Sequence, residues 1–408
     1  MEAMSLAGHL GLGKLVVLFD SNDIQLDGRV SLAYSENHQM KFEALGWDYQ
    51  RVEKGDDLQS IDRAIVNAKN NKNKPSIIEI KTVIGFGTSN QGTSKVHGAP
   101  IGEDEANKLR DTLLWDYPPF EIPKEIYDHY RKKVALRGQR AFKQWNDMMK
   151  AYQEKYAEDY DLYQSFIQGD NVLNIEDFST EVSASKEATR NISGKIIDKL
   201  SKTNLNFLGG SADLTASTKA KGADGNYDVE HRLGRNINFG VREHAMGAIV
   251  NGMVLHGGLK VFGGAFFVFS DYMKPAIRLA AIMQIPSIFV FSHDTIAVGE
   301  DGPTHQPVEQ LTGLRAIPNL NVIRPADANE TLAAWKIALE SKNTPTVIIL
   351  TRQNVNNYDT TSYEGVCKGA YVVSKENVKL DGILLAAGSE VDLAMQTKAL
   401  LAEKGYDL

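Results

Sequence analysis

Four stretches of the chain combine residue types that can do chemistry. In "FSHDTIAVGEDGPTHQPVEQL", residues 291–311, an apolar run enters a loop that carries His293, Asp294, Glu300, Asp301 and His305 among glycines. Imidazoles beside carboxylates suit binding of a polyol or phosphate and proton transfer during carbonyl chemistry. Metal ligation competes with that reading, but the loop has no HxH or HExxH spacing. In "GRNINFGVREHAMGAIVNGMVLHGG", residues 234–258, a helix rich in apolar and small residues starts near Glu243. Burial raises a carboxyl's pKa while a helix N-terminus opposes the rise, so this Glu is either a poised acid or base or a first-turn residue serving the helix dipole. "FDSNDIQLDG", residues 19–28, follows the apolar run "KLVVLF" and offers Asn22 and three Asp in one turn. It reads as a divalent-cation and diphosphate site, or as an Asx-turn ending a strand. The glycine-rich "GFGTSNQGTSKVHGAP", residues 85–100, is a loop whose backbone can approach a phosphate beside His97, or an ordinary surface loop.

The elements that must position these residues alternate. Strand-like "KLVVLFD" (14–20), "WDYQRVE" (47–53) and "PSIIEIKTV" (75–83) are separated by helical spacing near 36–45 and 58–70. That rhythm predicts βαβ units and a parallel sheet. From Lys124 to about Gln168 the chain is charged, aromatic and helical in spacing, which predicts a long exposed helix running into a linker with a boundary near residue 175. A second α/β block follows, with strands at "LNFLGGSADL", 259–265, 286–293, 319–326 and 344–351 and helices at 241–256, 271–283 and 327–341. After the polar "RQNVNNYDTTSYEG" a third α/β unit is expected from residue 368, opening on a strand in "DGILLAAG". In open parallel sheets ligands sit at the carboxyl ends of strands, and all four stretches fall there.

Totals exclude several classes. At 408 residues the chain exceeds the ~250–300 residues at which one core stops growing, so several domains are expected. A net charge of −7 offers no footing for nucleic acid or an anionic membrane. Cys367 is the only cysteine, which rules out an internal disulfide and suits a reducing compartment. No apolar run approaches the ~18 residues of a membrane span, and the first residues lack a signal-peptide pattern, so cytoplasm is the expected location.

Taken together, "GGSADLT", "NFGVREHAMG", "GGAFFVFSDYM" and "GEDGPTHQPVE" resemble the transketolases, in the order that family uses and over essentially the whole chain. The resemblance implies consecutive parallel-sheet α/β domains of the thiamin-diphosphate-binding type. It divides the chain into the C-terminal part of a diphosphate-binding domain (1–150), a linker (151–178), a pyrimidine-binding domain (179–354), a linker (355–367) and the start of a C-terminal domain (368–408). It implies two cofactors, thiamin diphosphate and Mg²⁺ or Ca²⁺, and a homodimer with active sites at the subunit interface. Asn22, by its side chain, and Ile24, by its carbonyl, match the metal ligands. His97, Asp213, Leu214, Phe266, Phe269 and Tyr272 match cofactor contacts, the aromatic residues surrounding the pyrimidine. Glu243 matches the carboxyl that hydrogen-bonds that ring. Arg190, Ser217 and Arg352 match contacts to a sugar phosphate, Asp301 matches a contact to substrate hydroxyls, and His293 and His305 are placed to move substrate protons.

The activity implied is reversible transfer of a two-carbon ketol unit from a ketose phosphate such as xylulose 5-phosphate to an aldose phosphate such as ribose 5-phosphate, in the pentose phosphate pathway. Dihydroxyacetone synthase-like transfer to formaldehyde and a non-catalytic fragment are the alternatives. The uncapped helix at residue 1 and the segment ending at Leu408 read as cuts through folded units, so an internal piece of a longer chain is expected.

Overall fold

In the computed structural model, which describes residues 1–168 and 186–408, the boundary expected near residue 175 lies outside the described residues. The chain divides into two compact units, one of Met1 with Ala3–Tyr160 and one of Glu2 with Asp161–Leu408.

The first unit is built on strands β1 (Val16–Ser21), β4 (Asp48–Val52) and β5 (Ser76–Lys81), with a short antiparallel ribbon of β2 (Ile24–Gln25) and β3 (Gly28–Arg29) leaving the end of β1. The sheet order is β1-β5-β4 and both pairings are parallel. The apolar residues Ile61, Ala64, Ile65 and Ala68 recur at helical spacing along Leu58–Asn70 and press on Val52, Ile78 and Ile80. Ala7, Phe42 and Trp47 pack with Ile77 in a second cluster, and Trp47 Nε1 donates to the Met4 carbonyl at 2.8 Å. Asn37 and Asp57 cap helices His38–Ala44 and Leu58–Asn70 by accepting from the backbone N–H of Met40 and Ser60, each at 3.0 Å. The charged span after Lys124 is helical as expected, but in pieces: Lys124–Tyr130, a π turn at Arg131–Ala135, Leu136–Lys155, and Ala157–Gln168 after a break at Tyr156. Tyr156 leaves helical geometry at φ −135°, ψ 60°.

The second unit holds six parallel strands: β6 (Phe207–Ser211), β7 (Asn236–Asn238), β8 (Lys260–Phe266), β9 (Ile288–Ser292), β10 (Asn321–Ile323) and β11 (Thr346–Leu350). Their order is β10-β11-β9-β8-β6-β7. Strands β9 and β11 are buried along their whole length, as continuous β-branched and aromatic runs in a two-faced parallel sheet should be. Ile192, Ile196 and Leu200 of helix Thr189–Thr203 meet Phe207, Phe262 and Trp335 in the main core, where Trp335 Nε1 donates to Ser193 Oγ at 2.9 Å. Gly247 lets helix Glu243–His256 lie against helix Ser270–Met283: a Cβ there would fall 2.8 Å from Met273 Cγ. The helices expected at 36–45, 58–70, 241–256, 271–283 and 327–341 fall within two residues of those bounds, while β7 and helix Glu103–Thr112 were not expected.

One expectation fails. The apolar run of 381–388 forms no strand; helix Glu390–Ala402 follows it directly, and Ile383 and Leu385 are exposed. A strand exists only when a neighbour completes its ladder, and among the described residues none pairs with this run.

The end of β11 and the start of helix Thr189–Thr203 are locked by a reciprocal buried pair. Thr189 N–H donates to Thr351 Oγ1 at 2.9 Å and Thr351 N–H donates to Thr189 Oγ1 at 2.8 Å. Replacing Thr351 by Val keeps the shape but orphans the Thr189 N–H, which should cost about 1–3 kcal/mol. Urea unfolding of Thr351→Val against the unaltered chain measures it, and equal stability would show that the pair contributes nothing.

Candidate functional site

Because every strand of the larger sheet runs the same way, its carboxyl ends share one edge, and the residues after them share it too. β6 leads to Asp213 and Leu214, β7 to Glu243, β8 to Phe266 and Phe269, β9 to His293, and β11 to Arg352. The turn after β6 is held by Ser211 Oγ, which accepts from the Leu214 N–H at 3.2 Å, and Asp213 adopts a left-handed backbone at φ +62°. Ser217 lies in the short helix Thr215–Thr218 that follows, and its carbonyl accepts from Arg190 Nη1 at 3.0 Å.

An aromatic wall stands after β8. The Phe266 and Phe269 rings are stacked, 6.2 Å apart at 10°, and Tyr272 tilts against Phe269 at 6.2 Å. Two imidazoles close on it: His293 with its ring 3.8 Å from Phe266, and His305 set edge-on 5.4 Å from Phe269. His293 is buried, sits at φ +64°, and shares a 2.9 Å hydrogen bond between Nδ1 and Ser292 Oγ. Thr304 Oγ1 is likewise 2.9 Å from His305 Nδ1.

The charges around this wall are set by the threonine lock. It places Arg190 and Arg352 next to the hydroxyls that hold Thr189 to Thr351. Burial, and then the Arg352 charge, pull Arg190 below its ordinary value, and Arg190 Nε is buried with no partner. Such an orphaned donor fits an anionic ligand. Burial and the two guanidinium groups pull His293 down to about 4 against the opposing pull of Asp301. Glu243, 7 % exposed at the start of its helix, is pushed up by burial, with a backbone hydrogen bond opposing.

In the first unit, Asn22 Oδ1 accepts from the Ile24 N–H at 3.0 Å, so the Asx-turn is present; the oxygen keeps a second lone pair. Asn22 and Ile24 line a cavity of about 750 Å³ with Ser21, His38, Tyr49 and Glu79. His97 is exposed on its loop and is not part of that wall. Sequence reasoning missed Glu79, whose carboxylate accepts from Ser21 Oγ at 2.7 Å and Tyr49 OH at 2.5 Å and pairs with His38 at 3.2 Å. Burial pushes that carboxyl up, but the three partners outweigh it and hold it below the usual range, while Tyr49 is pushed up to about 12 by burial and by Glu79. A lone acid inside the buried run "SIIEIK" was the available signal.

The residues present match the two halves of thiamin diphosphate unequally. A flat heterocycle fits the aromatic wall, and a buried carboxyl whose pKa is raised fits a ring nitrogen. For a metal the first unit offers one amide oxygen and one carbonyl, and no group of three His, Cys, Asp or Glu able to hold an ion occurs among the described residues.

Comparisons with known proteins match two parts of the chain to two family models. The family described as transketolase, thiamine diphosphate binding domain, matches residues 1–171, and the transketolase pyrimidine binding domain matches residues 185–357. The transketolase of Bacillus subtilis is 50% identical over 419 residues, covering 100% of this chain and 62% of the relative. That of Geobacillus stearothermophilus is 50% identical over 413 residues, covering 99% and 62%. The chain therefore spans about 62% of the length of these relatives. Among solved structures, the transketolase of Leishmania mexicana superposes with a TM-score of 0.94 at 40% identity, covering 98% of this chain and 60% of that one. A Pichia stipitis transketolase in complex with sedoheptulose 7-phosphate gives 0.92 at 39%, covering 99% and 61%.

The low His293 value has a consequence for stability. As pH falls, the unfolded chain takes up this proton near pH ~6.5, while the folded chain does so only near 4. The contribution is fully present above pH ~6.5, falls with pH through that window and levels off below it, a loss of about 3 kcal/mol. Urea midpoints of the unaltered chain and of His293→Gln between pH 7 and pH 4 should converge as pH falls; parallel curves would contradict the assignment.

Proposed function

This chain belongs to the transketolase family, and from that premise we propose that it serves reversible transfer of a two-carbon ketol unit from a ketose phosphate to an aldose phosphate, as in the pentose phosphate pathway. The observation that carries the reading is the convergence, on one carboxyl edge, of a buried Glu with a raised pKa, an aromatic wall and two imidazoles flanked by arginines. When bound, thiamin diphosphate supplies the nucleophilic carbon and the electron sink for breaking and remaking the carbon–carbon bond.

Each residue has a part in this proposal. Glu243, whose carboxyl is pushed up by burial, hydrogen-bonds a pyrimidine nitrogen, with Phe266, Phe269 and Tyr272 holding the ring and Asp213 and Leu214 beside it. His293, neutral near pH 7, accepts a substrate hydroxyl proton, and His305 returns one. Arg190 and Arg352 hold the sugar phosphate with Ser217, since planar guanidinium donors fit phosphate oxygens in pairs, and Asp301 takes a substrate hydroxyl. Asn22 and the Ile24 carbonyl would hold Mg²⁺ or Ca²⁺, and His97 would contact the diphosphate. The diphosphate-binding domain is assigned to 1–150 and the pyrimidine-binding domain to 179–354, in a cytoplasmic homodimer; the single, exposed Cys367 supports a reducing compartment.

The test is ketol transfer from xylulose 5-phosphate to ribose 5-phosphate by the purified chain with saturating thiamin diphosphate and Mg²⁺. Turnover is expected, with formaldehyde a poorer acceptor, and Glu243→Gln should lower kcat at least about 100-fold with its circular dichroism unchanged. A folded Glu243→Gln protein that keeps most of its rate would overturn the role of this carboxyl. Calorimetric titration of thiamin diphosphate into a chain without turnover separates loss of binding from loss of chemistry.

A further inference from the structure

One ionic cluster beside the His pair is not used by the reaction as proposed. Asp294 follows His293 directly and is buried. Its Oδ2 accepts from Arg324 Nε at 2.8 Å and lies 2.7 Å from Arg324 Nη2, while its Oδ1 has no partner. Arg324 leaves the end of β10, is itself almost wholly buried, and turns its remaining donors to a distant segment. Nη1 donates to the Ala387 carbonyl at 3.1 Å and pairs with the Glu390 carboxylate, and Nη2 donates to Ser389 Oγ at 3.2 Å. Gly388 lets the backbone pass over the guanidinium: its φ is +60°, and a Cβ there would fall 2.7 Å from Arg324 Cγ. The fork is thus gripped on two sides by elements far apart in sequence.

The mechanical link to His293 is a single peptide. His293 holds a left-handed backbone, which an L-residue with a Cβ adopts only when its surroundings enforce it. On the strand side the enforcement is the β9 ladder and the Ser292 hydroxyl; on the loop side it is the anchored Asp294 side chain. A carboxylate gripped in a fixed direction by a planar fork leaves the preceding peptide one orientation, and that orientation sets the imidazole against Phe266.

We propose that Asp294 and Arg324 are positioning residues for His293, and that the segment Ala387–Glu390 holds Arg324 in place for this purpose. The docking of residues 387–390 is then coupled to the proton-transfer competence of the His pair. Asp294 faces Arg324, Glu390 and the Ser389 hydroxyl, which donates to its Oδ2 at 3.5 Å, whereas the main charged groups acting on His293 are Arg190, Arg352, Asp301 and His305. Arg324→Lys, which keeps the charge, separates an effect of position from one of charge. The catalytic importance of this coupling rests on the role assigned to His293 above; the coupling itself does not.

The imidazole signals of His293 in ¹H–¹⁵N spectra of the full 408-residue chain test it without cofactor or turnover. A chain that fails to transfer ketol units still gives the answer, so the two readings fail separately. In the unaltered chain His293 should show one neutral tautomer and a midpoint near 4. Arg324→Gln should release the ring, giving exchanging tautomers and a midpoint moved toward the ordinary value of about 6.5. Arg324→Lys should restore part of the shift, and His305 should not follow. Ser389→Ala with Glu390→Gln, which leaves the Asp294–Arg324 pair intact, should move His293 in the same direction by less. This second variant decides the matter if Arg324→Gln does not fold. Unchanged His293 signals in a folded Arg324→Gln chain, or in the Ser389→Ala/Glu390→Gln chain where the former is unfolded, would overturn the proposal.

Discussion

Two buried hydroxyls determine where the charged edge of the larger sheet lies. Thr189 and Thr351 exchange hydrogen bonds between a helix start and a strand end that are 162 residues apart in sequence. A helix N-terminus leaves N–H groups without intrahelical partners, and a strand end leaves its ladder, so both ends of this contact would otherwise be unsatisfied inside the protein. Satisfying them together puts the next residue of each, Arg190 and Arg352, at one corner. That corner carries two like charges, one partly buried, which add to burial in depressing the His293 value.

The parallel sheet supplies the other constraint. Six strands running one way must deliver their following loops to one side, so residues scattered from 213 to 352 meet without any local sequence relation. Tyr272 and two imidazoles converge there on Phe266 and Phe269, and the glycines of β6 and β8 let backbones approach that larger side chains would separate. A Cβ at Gly209 would stand 2.2 Å from the Phe262 carbonyl oxygen, a contact that no rotamer relieves.

Much of this was legible in the chain. Strands β9 and β11 announce themselves as apolar β-branched runs, and helix Glu243–His256 by its small and apolar faces, because burial on both sides of a parallel sheet leaves little else possible. Glu243, His293 and His305 were legible as residue types out of place beside such runs. The Glu79 cluster was not, although an acid inside "SIIEIK" pointed to it, because its three partners come from β1, β4 and a separate helix and no spacing links them. Arg324 was invisible for the same reason: its meaning depends on Asp294 and on residues 387–390, which only the folded chain brings to it. The strand expected in 381–388 fails in the opposite sense, since its residues favour a ladder that no described neighbour completes.

The two titratable groups that matter most at the edge are displaced in opposite directions by a shared cause. Burial penalises whichever form is charged, so it raises the Glu243 carboxyl and lowers the His293 imidazole. The arginines add to the second shift only, because they repel an imidazolium. An acid whose hold on its proton is strengthened and an imidazole that remains free of one near neutral pH then stand at one sheet edge. Both shifts arise chiefly because the parallel sheet turns a desolvated edge toward the loops that carry them. Where the environment separates the affinities of two groups for a proton, their roles in proton traffic separate with them, and acid and base are distinguished by position before any substrate arrives.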